Sequence, residues 1–234
     1  MPGPVALVGS GEYLASSLPL EKALLDGRPP RYVQIPTAAS LEGAASLDRW
    51  VALGREQAAR LGVDAVPIVA HDRAEADDPE LAALVAGAGL VYLSGGNPPH
   101  LAATLRGTRL WDAVHAAWQG GAALAGCSAG AIALSGFVPD LRRPTRAAEP
   151  GLGVVPDVRV IPHFDRIPRW FPDIVTRFLT KAPAGAAVVG VDEDTAVVHE
   201  DGTWTVHGQR AAWLLTDGER TPYEAGSTIP LPPL

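Results

Sequence analysis

The chain has 234 residues and a formal net charge of −7 at pH 7, with 26 acidic and 19 basic side chains. This length fits a single domain spanning residues 1–234, and a hydrophobic fraction of 47% supplies a sizeable core and argues against disorder. The acidic balance, with no stripe of lysine and arginine, argues against a nucleic-acid partner. The one cysteine, Cys127, excludes an internal disulfide and a cysteine-rich metal site.

No segment of the sequence predicts a membrane partner. The apolar run Val5–Val8 has no basic residue before it and is too short for the core of a signal peptide. Residues 113–139 contain no Asp, Glu, Lys or Arg and exceed the ~20 residues that a spanning helix needs. Their glycines, polar residues and many alanines instead indicate the end of one helix, a buried strand and the start of another. We therefore expect a cytoplasmic protein.

Short apolar runs alternate with helical patterns through the first 140 residues. Apolar residues recur at helical spacing between Leu47 and Leu61, and Gly62 is a plausible stop for that helix. Asp78 and Pro79 form a helix start. Such alternation predicts an α/β fold, with a mostly parallel central sheet and helices on both faces. The predicted strands are Val5–Val8, Tyr32–Ile35, Ala65–Val69, Leu90–Leu93 and Ala122–Ala125.

The last third of the chain has a different pattern. Apolar runs before and after a helix that opens at Pro168 are expected to extend the central sheet. Two further runs flank an acidic turn with glycine, which predicts a C-terminal antiparallel hairpin, and one more strand follows. The predicted strands of this region are Arg159–Ile161, Ala187–Val191, Thr195–His199, Thr203–His207 and Ala211–Leu215.

The first chemical signal is the pentapeptide Gly126-Cys127-Ser128-Ala129-Gly130, a G-x-S-x-G pattern between a predicted strand and a predicted helix. Small residues let the backbone bend sharply there and expose the serine oxygen. Ser128 is therefore the candidate nucleophile, and the Ala129 N–H is a candidate oxyanion donor. Cys127 is the rival nucleophile, but a pattern centred on it would need glycine at positions 125 and 129, where the chain has alanine.

A second signal, Ser94-Gly95-Gly96-Asn97, directly follows the predicted strand Leu90–Leu93. Paired glycines at the carboxyl end of a strand allow a ligand to approach the backbone closely. The amides of Gly95 and Gly96 are candidates to complete an oxyanion hole with Ala129. Asn97 is a candidate substrate-binding residue. An ordinary strand-to-helix turn explains the same pattern without any function.

A catalytic serine needs a base, and His163 lies just past a predicted strand, at the edge where open α/β sheets place their sites. The base in turn needs a carboxylate on its other ring nitrogen. The order serine, histidine, acid differs from that of the α/β-hydrolases, so an ordinary lipase or esterase loses support. The candidate carboxylates are Asp192, Glu193 and Asp194, with Asp140, Asp157 and Asp165 as weaker options.

These motifs together resemble the serine peptidase family of aspartyl dipeptidase (peptidase E) and cyanophycinase. The resemblance implies a fold like that of class I glutamine amidotransferases, with serine at the elbow, and hydrolysis of short peptides, often beside an acidic residue. The matching segments are Gly9–Glu12, Ile35–Ser40, Ser94–Asn97, Gly126–Ala131, Pro162–Phe164 and Gly190–Ala196.

The resemblance also implies roles for single residues. Ser128 matches the family nucleophile, His163 its base, and Glu193 the triad carboxylate of the cyanophycinase branch. The expected oxyanion-hole region is matched by Gly95, Gly96 and Ala129. Cyanophycinases have Asp-Gln before the histidine and Gln after the Gly-Gly-Asp turn, whereas this chain has Ile161-Pro162 and Pro98. This pattern is closer to the dipeptidases, so cleavage of polyaspartate-arginine is not expected.

An acidic substrate would require local cations in a chain of negative net charge. Arginine suits a carboxylate because its planar fork binds both oxygens. The candidate substrate-binding arginines are Arg166 and Arg169, with Arg142, Arg143 and Arg146 in the loop after the predicted helix that follows Ser128.

The expected partner is a small peptide substrate, with no cofactor and no metal. A homodimer is one candidate for the oligomeric state. Three other functions stay open at this point. They are an amidotransferase-like enzyme that uses Cys127, an esterase, and a catalytically inactive binding protein.

Overall fold

Alternating strands and helices build a seven-stranded central sheet in a computed structural model that describes residues 1–139, 148–167, 185–216 and 219–234. The predicted helix that opens at Pro168 lies outside the described residues. The helices are α1 (Leu18–Leu25), α2 (Ala44–Leu61), α3 (Arg73–Ala76), α4 (Pro79–Ala83), α5 (Pro98–Leu105), α6 (Arg109–Gln119) and α7 (Ala129–Leu134), with short 3-10 helices at Ala15–Ser17 and Thr37–Glu42.

The strands fall into the central sheet, a second sheet of four strands and a two-stranded ribbon. They are β1 (Val5–Val8), β2 (Arg31–Ile35), β3 (Asp64–Pro67), β4 (Leu90–Leu93), β5 (Ala123–Cys127), β6 (Phe137–Val138), β7 (Glu149–Pro150), β8 (Val158–Ile161), β9 (Ala187–Val191), β10 (Thr195–Glu200), β11 (Thr203–Gly208), β12 (Ala211–Thr216) and β13 (Glu219–Glu224).

The central sheet has the strand order β11-β10-β1-β5-β4-β2-β3. The five strands β1, β5, β4, β2 and β3 are parallel to one another. The β10–β11 hairpin pairs antiparallel with the other side of β1. This arrangement confirms the predicted α/β class and the C-terminal hairpin. The carboxyl ends of β1, β4 and β5 lie side by side, with Val8 opposite Cys127 and Leu93 opposite Gly126. The loops that follow these strands therefore meet at one edge of the sheet.

The expectation that Arg159–Ile161 and Ala187–Val191 extend the central sheet is wrong. These segments, as β8 and β9, belong to the separate sheet of order β13-β12-β9-β8. The physical reason is that β10 already occupies the free side of β1, from Val5 opposite His199 to Val8 opposite Ala196. β9 instead pairs with β12 on one side and with β8 on the other.

Helices cover both faces of the central sheet. Because successive strand residues point to opposite faces, Leu7 and Leu124 pack in one buried cluster while Ala6 and Cys127 pack in another. The first cluster includes buried side chains of α5, α6 and α7, and the second those of α1 and α2.

Among the helices of the described ranges, none is long and apolar enough to span a membrane.

Candidate active site

Ser128 lies on a sharp bend between β5 and α7. Its backbone has φ 49° and ψ −104°, a conformation that is uncommon for a residue with a side chain and is held only by its surroundings. The two glycines of the motif permit the bend by close packing. A Cβ atom on Gly126 would lie 2.5 Å from the carbonyl carbon of Gly130, and one on Gly130 would lie 2.3 Å from the Leu93 oxygen. The serine side chain is left partly exposed.

The side chains of Ser128, His163 and Glu193 form a continuous chain of hydrogen-bonding contacts, which we call the relay. Ser128 Oγ lies 3.0 Å from His163 Nε2, and His163 Nδ1 lies 3.0 Å from Glu193 Oε1. Burial opposes ionisation of Glu193, but hydrogen bonds from His163 and Arg166 outweigh it and lower the pKa of this carboxyl. An ionised Glu193 favours the tautomer with the proton on Nδ1. Nε2 then carries the lone pair that can accept the proton of the serine hydroxyl.

The turn after β8 delivers His163 to the serine. His163 has φ 51°, and its carbonyl oxygen accepts the N–H groups of Arg166 at 2.9 Å and Ile167 at 3.0 Å. Phe164 anchors this turn, because its N–H donates to the Val191 oxygen of β9 at 3.1 Å. The other histidines have different neighbours; His100, for example, lies 2.8 Å from Ser40 Oγ.

The three consecutive acids after β9 have three different environments. Asp192 is buried, accepting a hydrogen bond from Trp213 Nε1 at 3.0 Å, and burial raises the pKa of its carboxyl. Asp194 accepts from Ser16 Oγ at 2.8 Å. The carboxylate that contacts the imidazole is therefore that of Glu193. Asp140, another candidate from the sequence, lies outside the described residues.

The proposed oxyanion amides are arranged differently from expectation. The N–H of Gly95 donates to Glu12 Oε1 at 3.0 Å, so this amide is already used within the protein. Gly96 is exposed and has φ 136°, and a Cβ there would lie 2.4 Å from the Ala38 backbone. Within the described ranges, no backbone oxygen outside the helices and strands accepts a hydrogen bond from the amide of Gly96 or Ala129. These two remain the candidate donors to an oxyanion.

Glu12 is the site residue that the sequence did not single out for a role. Its carboxylate accepts the Gly95 N–H through Oε1 and the Cys127 thiol through Oε2 at 2.9 Å. It thereby ties together the loops that follow β1, β4 and β5. Cys127 is completely buried, and burial together with the Glu12 carboxylate raises the pKa of its thiol well above the usual value. Cys127 is thus a protonated neighbour of the bend, poorly suited to act as a nucleophile.

The predicted substrate-binding residues Arg166 and Asn97 are both engaged within the protein. Arg166 Nε donates to Glu193 Oε2 at 2.9 Å. Asn97 Oδ1 accepts the His100 N–H at 3.0 Å and so caps the first turn of α5. The remaining predicted arginines, Arg142, Arg143, Arg146 and Arg169, lie outside the described residues.

No group of three or more His, Cys, Asp or Glu side chains in the described part of the chain is arranged to hold a metal ion.

Comparison with known proteins gives one family across most of the chain. Residues 5–207 match the model of peptidase family S51. A cyanophycinase of Synechococcus elongatus is 35% identical over 168 residues, which is 66% of this chain and 50% of that protein. A cyanophycinase of a Nostoc species is 28% identical over 209 residues, which is 83% of this chain and 66% of that protein. The chain spans about half the length of the first of these relatives.

Two solved structures are similar to this fold. A peptidase from an acI-B1 actinobacterium superposes with a TM-score of 0.92 at 40% identity, covering 98% of this chain and 97% of that one. A peptidase E candidate from Listeria monocytogenes superposes with a TM-score of 0.66 at 18% identity, covering 89% of this chain and 100% of that one. The second likeness concerns the fold alone.

Proposed function

The chain belongs to peptidase family S51, and from this premise we propose that it is a serine peptidase that hydrolyses dipeptides or short peptides through Ser128, His163 and Glu193. The observation that carries the proposal is the unbroken contact from Ser128 Oγ to His163 Nε2 at 3.0 Å and from His163 Nδ1 to Glu193 Oε1 at 3.0 Å. The strained backbone at the serine supports it, because such strain is characteristic of a nucleophile elbow.

The proposed reaction passes through an acyl-enzyme. Ser128 Oγ attacks the scissile carbonyl carbon while His163 takes the hydroxyl proton. The amides of Gly96 and Ala129 stabilise the oxyanion. One donor of this kind lowers the activation free energy by about 3 kcal/mol. The imidazolium, stabilised by Glu193, then protonates the leaving amine. Water attacks the acyl-enzyme with His163 as base, which releases the acid and restores the serine.

Cleavage beside an acidic residue is the finer part of the substrate proposal. It rests on the family resemblance, because Nε of Arg166, a predicted substrate-binding residue, donates to Glu193 within the protein. A panel of dipeptides and short peptides with acidic, neutral and basic residues on each side of the bond measures this preference directly. Scoring which terminal residue is released also distinguishes a strict dipeptidase from an aminopeptidase or a carboxypeptidase.

The test of the proposed function compares Ser128→Ala with Cys127→Ala on this panel. We expect Ser128→Ala to lose hydrolysis while its circular dichroism spectrum and melting temperature stay close to those of the wild type. Cys127→Ala should keep activity, because the buried thiol takes no part in the reaction. Loss of activity in Cys127→Ala with retention in Ser128→Ala would instead indicate a thiol enzyme. Cleavage of esters but of no peptide in the panel would indicate an esterase.

A further inference from the structure

One short turn brings both a base and a cation to the same carboxylate. His163 and Arg166 are three positions apart, and the Arg166 N–H closes the turn on the His163 carbonyl oxygen at 2.9 Å. His163 Nδ1 contacts Glu193 Oε1 at 3.0 Å, whereas Arg166 Nε contacts Glu193 Oε2 at 2.9 Å. The two oxygens of Glu193 are thus divided between the imidazole and the guanidinium.

A second carboxylate fixes the backbone of this arrangement. Asp165 Oδ1 accepts the N–H of Glu193 at 3.0 Å, and Asp165 Oδ2 accepts from Arg210 Nη1 at 2.9 Å. Arg166 Nε lies farther from Asp165 Oδ2, at 3.5 Å, than from Glu193. Because Arg210 already balances the charge of Asp165, the charge of Arg166 acts mainly on Glu193. The hydrogen bond with Glu193 accordingly raises the pKa of the Arg166 guanidinium.

His163 is surrounded by charges of both signs, which oppose one another at the imidazole. Carboxylates stabilise the imidazolium, and guanidinium groups stabilise the neutral ring. In the described part of the chain, Glu193 contacts the imidazole directly, and the other charged groups contact its neighbours: Arg166 contacts Glu193, Arg210 contacts Asp165, Arg220 lies over the Phe164 ring, Asp192 accepts from Trp213, and Glu12 accepts from Gly95 beside the Ser128 bend.

We propose that Arg166 is a positioning residue of the relay: by binding the second oxygen of Glu193, it orients that carboxylate and opposes protonation of His163. This inference rests on the peptidase function proposed above and replaces the substrate-binding role predicted for Arg166. A general base has to be unprotonated to act, whereas a carboxylate bound to its Nδ1 favours protonation. Arg166 offsets part of that effect without taking Nδ1 away from Glu193.

The proposal predicts a direction for the pH dependence. Without the guanidinium, the full charge of Glu193 acts on His163 and stabilises its protonated form. The pKa of His163 then rises, and a larger share of the enzyme is inactive at neutral pH. Since the Arg166 side chain is 35% exposed, solvent screens part of the effect, and a rise of about 0.5 to 1 pH unit is expected.

The experiment is an NMR titration of the His163 side-chain nitrogens, identified from the signals that disappear in His163→Gln. It compares the wild type with Arg166→Gln, Arg166→Lys and Arg109→Gln. Arg109 is the matched control, because it lies on helix α6, outside the relay, and its exposed side chain pairs with Asp77 at 3.8 Å. Its loss changes the net charge by the same amount. The pH profile of kcat/KM, on one acidic and one neutral dipeptide, is recorded for the same proteins.

We expect Arg166→Gln to raise the His163 pKa by about 0.5 to 1 unit and to move the acidic limb of kcat/KM by the same amount. Arg166→Lys keeps the charge and should show less than half of this rise, and Arg109→Gln should show none. An unchanged His163 pKa in Arg166→Gln, or an equal rise in Arg166→Lys, would overturn the proposal.

A change in the preference for the acidic dipeptide at high pH, where His163 is neutral in every variant, would also overturn the proposal in favour of substrate binding. The titration needs no turnover, so it separates this inference from the proposed function. A wild type that cleaves no peptide would refute the function and leave the titration to decide the role of Arg166.

Discussion

Glu21 is a buried carboxyl group whose ionisation should weaken the fold. It lies on α1, is completely buried, and burial raises its pKa from 4.5 to about 7. A group whose pKa is higher in the folded than in the unfolded chain binds its proton more tightly when folded. The stabilisation from the protonated form is fully present below pH 4.5 and is lost as the pH rises through about 7.

Replacing Glu21 by glutamine removes this dependence while keeping the size of the side chain. A shift from 4.5 to about 7 corresponds to about 3 kcal/mol of folding free energy. Glu21→Gln should therefore gain about 3 kcal/mol relative to the wild type between pH 4.5 and pH 8. The difference between the two proteins is the relevant quantity, because His100, His199 and His207 have lowered pKa values from burial and change stability in the opposite sense.

Urea denaturation followed by tryptophan fluorescence at intervals of half a pH unit measures this difference. The control is Glu56→Gln, since Glu56 is exposed and pairs with Arg60 on the surface of α2. Its difference from the wild type should stay nearly constant over the same range. A Glu21→Gln difference that is equally constant would refute the conclusion that Glu21 is protonated in the folded protein at mildly acidic pH.

Two further substitutions test the relay and the loops around it. Glu193→Gln should lower kcat by roughly a thousandfold, with KM little changed, because an amide does not balance the imidazolium; a loss below tenfold in steady-state kinetics would argue against a catalytic role for Glu193. Glu12→Gln should lower the free energy of unfolding by about 1.5 to 3 kcal/mol, because an amide has one oxygen to accept the Gly95 N–H and the Cys127 thiol. Unchanged urea denaturation in this variant would show that the carboxylate does not hold these loops together.

The middle of the parallel sheet was predictable because its strands β1 and β4 are continuous apolar runs, whereas β3, at the edge, has the sequence Asp-Ala-Val-Pro and is partly exposed. β1 and β4 match the predicted Val5–Val8 and Leu90–Leu93, since a strand covered by helices on both faces needs apolar residues at every position. β13, in contrast, has the sequence Glu-Arg-Thr-Pro-Tyr-Glu and carries no such signal. The second sheet was also not predictable, because local sequence does not show that β10 occupies the side of β1 and that β9 pairs with β12 instead.

The site was predictable as far as motif and family reach. The match to peptidase family S51 confirms the resemblance found in the sequence, and the structure brings Ser128, His163 and Glu193 into contact. Choosing among three consecutive acids required the geometry of their turn. The contact of Glu12 with Cys127 and that of Arg166 with Glu193 join segments that are distant in sequence, so side-chain type and spacing alone do not reveal them.

Covalent labelling by a fluorophosphonate, located by mass spectrometry of tryptic peptides, tests the central claim most directly. Such reagents modify a serine whose hydroxyl is activated by a neighbouring base. We predict a single adduct on Ser128 in the wild type, slower labelling in His163→Gln, and none in Ser128→Ala. An adduct on another residue, or equal labelling with and without the His163 imidazole, would contradict the claim that this serine and this histidine act together.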